Sequence, residues 1–75
     1  MLFRSKGDEL FKKLIEDYPD WILSYIYWGD QYDFVDNSIS NKVKAKKIYK
    51  SALEEDINDP VNREVIKERI NMLGD

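Results

Sequence analysis

Apolar residues near the start of the chain recur at three- and four-residue spacing. Leu10, Phe11, Leu14, Ile15 and Tyr18 share one helical face, which predicts a first element over about residues 6–18. Pro19 ends it, because the residue before a proline is pushed out of the α region. Asp20 then has the character of an N-cap, opening a second helix over 21–34. This stretch, WILSYIYWGDQYDF, is apolar on almost every side and so belongs between neighbours rather than on a surface. The short Tyr18-Pro19-Asp20 joint implies an antiparallel turn.

Residues 36–41, DNSISN, have loop composition. A third helix is expected over 42–55, with Val43, Ala45, Ile48, Tyr49, Ala52 and Leu53 as its apolar stripe. Lys42, Lys46 and Lys50 line another face of it. Asp59-Pro60 pairs a cap with proline at the first helical position, starting a fourth helix over 60–73. That helix carries Val61, Val65, Ile66, Ile70, Met72 and Leu73, and Gly74 follows where a C-terminal cap belongs. No segment favours a strand. The expectation is one all-α domain over residues 1–75, built from four antiparallel helices.

Composition narrows the chemistry. Of 75 residues, 43% are hydrophobic and 13% aromatic, enough for the core of one small domain. Cysteine is absent, which excludes a disulfide scaffold and a cysteine zinc site. Histidine is absent too, removing the commonest metal ligand and general base. No apolar run approaches the roughly 18–20 residues that span a bilayer. The opening Met1-Leu2-Phe3-Arg4-Ser5-Lys6 lacks a signal-peptide core, so a cytoplasmic location is expected.

The net charge of −3 argues against general nucleic-acid affinity, but it is unevenly spread. Residues 21–38 hold Asp30, Asp33 and Asp36 with no lysine or arginine. Residues 39–56 hold five lysines against Glu54, Glu55 and Asp56. An acidic element followed by a basic one is expected to pair within the molecule.

The second and third helices carry Tyr25, Trp28-Gly29, Tyr32, Ala45, Tyr49 and Ala52 in an order that resembles a tetratricopeptide repeat. The later three positions fit when the inter-helix loop is about four residues longer than usual, and DNSISN accommodates this. Pro19, Phe11 and Leu14 extend the register backwards, although Leu14 and Ile57 stand where small and proline residues are usual. The resemblance implies one complete repeat hairpin flanked by one helix on each side. The wording LFKKLIEDYPDWILSYIYWGDQY followed by KAKKIYKSALEED is also similar to the tetratricopeptide-like region of some bacterial SEC-C motif proteins. The cysteine-containing motif itself is missing, so no zinc-linked function is implied.

The packing logic stands apart from any family. Gly29 lets a neighbouring helix approach, Ala45 and Ala52 do the same from the opposing helix, and the rings of Tyr25, Trp28, Tyr32 and Tyr49 fill the surrounding space. In the repeat architecture the first helix of each pair lines the ligand-facing surface, which here would present Leu23, Ile26, Tyr27, Asp30, Asp33 and Phe34. The lysine, asparagine and arginine of carboxylate-clamping members are absent from these places. An acidic, aromatic face suits an apolar or basic segment.

Lys42, Lys44, Lys46, Lys47 and Lys50 have the charge to contact phosphates, although such runs are more often solvated helix faces. Asp30, Asp33 and Asp36 do not match a calcium loop, because Asn41 and Lys47 occupy its glycine and glutamate places. There is no phosphate-binding glycine loop and no nucleophile motif. The expectation is therefore a protein–protein interaction module, not an enzyme, with no metal or cofactor. Its partner would be a protein or peptide. The rival readings are a structural or self-associating piece of a longer helical solenoid and a small nucleic-acid-binding regulator using the third helix. Homodimerisation, or else tight docking onto a partner, is expected through an exposed patch drawn from Leu23, Ile26, Tyr27 and Phe34.

Overall fold

Four helices and no strand make up the described part of the chain. The computed structural model describes residues 2–35 and 38–74, with side chains from Asp8 onward. Helix α1 is Leu2–Asp17, α2 is Leu23–Asp30, α3 is Ile39–Glu54 and α4 is Pro60–Leu73. Helix α2 runs directly into a wider π-helical turn, Gln31–Val35. The helices pack as consecutive neighbours in a thin slab of 34 × 30 × 16 Å. Helix α3 sits centrally between α2 and α4, whereas α1 leans mainly on α2.

The first corner differs from the sequence expectation. Asp20 does not cap α2: the N-cap is Ile22, and no side chain supplies a hydrogen bond there. Backbone turns close the corner instead, with the Trp21 N–H bonded to the Tyr18 carbonyl at 3.0 Å and the Ser24 N–H to that of Trp21 at 3.2 Å. Ile22 is among the most deeply buried side chains. Its burial fixes the entry of α2, so hydrophobic anchoring outweighs the capping preference of the preceding aspartate.

Helix α3 also starts earlier than expected. Ser38 is its N-cap, and its hydroxyl accepts the Asn41 N–H at 3.3 Å. Ile39, Ser40 and Asn41 are therefore helical, and Asn41 is buried. The expected DNSISN loop shrinks accordingly, and residues 36 and 37 within it lie outside the described part. Helix α4 follows its signals closely. The Asp59 carboxylate accepts the Asn62 N–H at 3.3 Å, Pro60 takes the first position, and Gly74 adopts φ +74° at the end. Between α3 and α4, the Arg63 guanidinium donates to the carbonyls of Glu55 at 2.8 Å, Leu53 at 2.9 Å and Ile57 at 3.3 Å. It thereby satisfies acceptors that the end of α3 leaves open.

The core gathers Ile22, Tyr25, Ile26 and Tyr32 from α2 and its π turn with Ala45, Ile48, Tyr49 and Ala52 from α3. Ile57 and Ile66 close it. At its centre Gly29 faces the ring of Tyr49, and a Cβ built there would stand 2.7 Å from both Cδ1 and Cζ of that ring. The expected close crossing of α2 and α3 is thus present. Not every apolar stripe is used in full. Leu10, Val43, Val61 and Met72 remain exposed on sides of their helices that no described neighbour covers, and Tyr18 is exposed just past the end of α1.

Candidate interaction face

Helix α2 and the π turn that continues it have two edges with different fates. Ile26 and Asp33, seven residues apart, form the inner edge and are 4% and 5% exposed. Tyr27 and Phe34, also seven apart, form the outer edge and are 51% and 52% exposed. Leu23 and Asp30 lie between and are half-buried. The six residues expected to face a partner therefore divide. Ile26 and Asp33 are corrected to core positions, since the stripe is wider than the surface α3 leaves open. The expected patch of Leu23, Ile26, Tyr27 and Phe34 loses Ile26 for the same reason.

The two acidic residues turn inward, each toward a cation. Lys42 Nζ donates to Asp33 Oδ1 at 3.2 Å and to the Asp33 backbone carbonyl at 3.3 Å, closing the π turn onto α3. Arg69 of α4 donates from Nε to Asp30 Oδ1 at 3.1 Å and from Nη2 to Oδ2 at 3.4 Å. The Tyr49 hydroxyl joins them, donating to Asp30 and, at 3.4 Å, to Asp33. Burial, the Asp30 hydrogen bond and the two nearby carboxylates push the Tyr49 phenol well above its ordinary range. The Asp30 hydrogen bond raises Arg69 further, against the opposing effect of burial. The internal pairing expected from the charge pattern is present between Asp33 and Lys42, while Asp30 finds its cation on α4 instead. Asp36 lies outside the described residues.

The outer edge is aromatic. Trp21 meets Tyr27 edge-on at 6.2 Å between ring centres, and the Arg69 guanidinium carbon lies 5.3 Å from the centre of the Phe34 ring. Trp21, Tyr27 and Phe34 are all exposed. These exposed rings extend from the α1–α2 corner through α2 to its π turn.

Of the expected packing residues, Tyr25, Gly29, Tyr32, Ala45, Tyr49 and Ala52 are buried. Trp28 is half-buried and serves a different contact. Its ring stacks on Phe11 of α1 at 6.1 Å, and its Nε1 donates to Asp8 Oδ1 at 2.9 Å. The Tyr32 hydroxyl donates to the same Asp8 oxygen at 2.5 Å, with Lys44 Nζ 4.8 Å from the Tyr32 ring centre. Burial opposes the charge on Asp8. The bonds from Tyr32 and Trp28, with Lys44 and Lys12 nearby, outweigh it and hold the carboxyl below its ordinary range.

Asp8 and Arg69, like Arg63, connect helices although no motif in the sequence marks them as a site. Each left a signal. Asp8 sits in register with Phe11 and Ile15, and Arg69 with Ile66 and Leu73, so each is a charge placed on an apolar stripe.

Among the described residues no helix is long and apolar enough to cross a membrane. No family model, curated protein or solved structure matches the chain.

Proposed function

We propose that the chain is a protein–protein interaction module of the tetratricopeptide type, which offers the outer edge of α2 to an apolar segment of a protein partner. The carrying observation is that Tyr27 and Phe34 stay half exposed on a helix whose opposite edge is core. Rigid rings supply large contact area at little conformational cost, and such residues dominate interface energies. The chemistry of the partner follows from the charges. Asp30 and Asp33 are engaged by Arg69 and Lys42, so the face has little net pull on a basic segment. It favours apolar side chains, with Arg69 beside Phe34 as a polar border. The residue order Tyr25, Trp28-Gly29, Tyr32, Ala45, Tyr49 and Ala52 supports the family reading. The non-enzymatic reading rests on the use of the perturbed groups: Asp8, Tyr49 and Arg69 hold helices together, and Tyr25 is part of the core.

Selection of peptides from a random display library tests this reading. Peptides bearing apolar or aromatic side chains should emerge, and their affinity should fall by about tenfold or more in a Tyr27→Ala/Phe34→Ala variant, which is roughly 1.4 kcal/mol. Selected peptides that bind this folded variant unchanged would refute the assignment of the face.

A further inference from the structure

Helix α1 is held to the rest of the chain unlike the other helices. Its described side chains run from Asp8 to Asp17, and none of them is buried. Asp8, Phe11, Leu14 and Ile15 are half-buried, and the others are exposed. Among the described residues the buried core includes none from α1, and Ile15 packs against it from outside. The helix rests on one seat, formed by α2 and its π turn. There Trp28 stacks on Phe11, and Trp28 and Tyr32 both donate to the Asp8 carboxylate.

The joint to α2 is equally bare. Residues 16–21 are exposed in succession, and the buried body begins at Ile22. Two backbone bonds close the corner, from Trp21 to Tyr18 and from Ser24 to Trp21. No side-chain hydrogen bond reinforces it among the described residues. Pro19 bars α1 and α2 from fusing into one continuous helix, so an opened corner is an extended linker.

We infer that the α1 seat is an exchange site, at which two copies of this chain swap their α1 helices. Asp8 and Phe11 of one copy then dock on Trp28 and Tyr32 of the other. The seat specifies its occupant: it takes a carboxylate three residues before an aromatic ring on one helical face, and the α1 of a second copy carries that pair. Every contact that α1 makes within one chain is remade between chains, and the two turn bonds of the corner are given up. The exchange is reciprocal, so it closes on two copies. At the crossover the opened linkers run side by side. Tyr18 and Trp21, 60% and 43% exposed around an opening of about 400 Å³ in the single chain, there meet their counterparts. Asp17 and Asp20 of both copies meet there too. Asp17 pairs with Lys13 of its own helix at 3.5 Å, whereas Asp20 has no cation among the described residues. The crossover therefore carries a repulsion that salt screens, so salt favours the exchanged dimer. A short tether holds α1 at an effective concentration on the order of millimolar, and exchange competes as the chain approaches that concentration. It uses neither Tyr27 nor Phe34, so it stands or falls separately from the proposed peptide face.

Light scattering, joined to isotope-filtered nuclear Overhauser spectra of a concentrated one-to-one mixture of labelled and unlabelled chains, tests it. The dimer fraction should rise with concentration and with salt. Cross-peaks should connect the Phe11 ring of one chain to the Trp28 indole of the other. Asp20→Asn, a change at an exposed position, should tighten the dimer by roughly two- to fivefold. A mass that stays monomeric up to millimolar concentration in both the wild type and Asp20→Asn overturns the inference. So does a dimer whose Phe11–Trp28 cross-peaks stay within each chain, as a contact through Tyr27 and Phe34 would leave them.

Discussion

Replacing Gly29 by alanine tests the centre of the fold with one methyl group. On an exposed helix this change stabilises by about 1 kcal/mol, because glycine loses more backbone freedom on folding. Here the added carbon would stand 2.7 Å from Cδ1 and Cζ of Tyr49, and closer still to Cε1, distances no packed carbon tolerates. Relief requires Tyr49 to move, yet its ring is fully buried and its hydroxyl is tied to Asp30, which Arg69 also holds. Overpacking of this kind costs about 1–3 kcal/mol, and the immobile ring places Gly29→Ala at the upper end. After the gain in helix propensity, a net loss of about 2 kcal/mol is expected. Gly29→Leu should lose about 3–4 kcal/mol, a large share of the roughly 4–11 kcal/mol that a domain of this size possesses. Urea denaturation measures both. The double variant Gly29→Ala/Tyr49→Leu should show a favourable coupling, since the smaller side chain makes room for the methyl group. A Gly29→Ala protein as stable as the wild type, or more so, would show that the helices do not cross closely here.

Further outcomes follow from the polar contacts. Ser24 Oγ is buried without a partner among the described residues, so Ser24→Ala should raise stability by about 1 kcal/mol in the same denaturation assay. Tyr49 and Tyr25 keep their protons to higher pH when folded, chiefly through burial. Their contribution is complete below the unfolded tyrosine value near 10 and declines as pH rises beyond it, by up to about 1.4 kcal/mol per pH unit for each, as thermal melts between pH 9 and 11 would register. Asp8 is shifted the other way, so its tie to α2 is present above the unfolded carboxyl value of about 3.9 and lost as pH falls through the lower folded one. In an Asp8→Ala variant, amide exchange should quicken in α1 while α3 keeps its protection. Trp28 should be less accessible to a neutral quencher than Trp21 in single-tryptophan variants, given its stacking on Phe11 and its bond to Asp8.

Spacing made the helices and the core crossing legible, and local chemistry misplaced the boundaries. The order Gly29, Ala45, Tyr49 and Ala52 identified the α2–α3 contact, because small and large residues at helical spacing leave few ways to interdigitate. Asp20 was misleading, because a capping side chain contributes about 1 kcal/mol whereas seating Ile22 contributes more. Ser38 was hidden inside a polar run in which several residues were equally good caps. The candidate face was half legible. The repeat resemblance implies a ligand-facing side of the helix but not its width, so it grouped Ile26 and Asp33 with Tyr27 and Phe34. The width depends on how closely α3 approaches, which Gly29 and Tyr49 decide together. Arg69 escaped because its partner is 39 residues away, beyond any local pattern.

That distant pair changes what counts as the unit of folding. The α2–α3 hairpin carries all the residues of the repeat pattern, yet it holds two carboxylates near the core and supplies only one cation for them, Lys42. Asp30 is left with the Tyr49 hydroxyl alone until α4 brings Arg69. Leaving a partly buried carboxylate without its cation is destabilising, and a core this small has little stability in reserve. Helix α4 also brings Ile66 into the core, and Arg63 at its start closes the open carbonyls of α3. The cooperative unit is therefore α2, α3 and α4 together, with α4 an electrostatic partner as much as an apolar cover. Helix α1 joins differently, through Phe11 and one carboxylate shared by Trp28 and Tyr32, and its packing is mainly against α2. It is the helix whose detachment leaves the Asp30–Tyr49–Arg69 cluster intact.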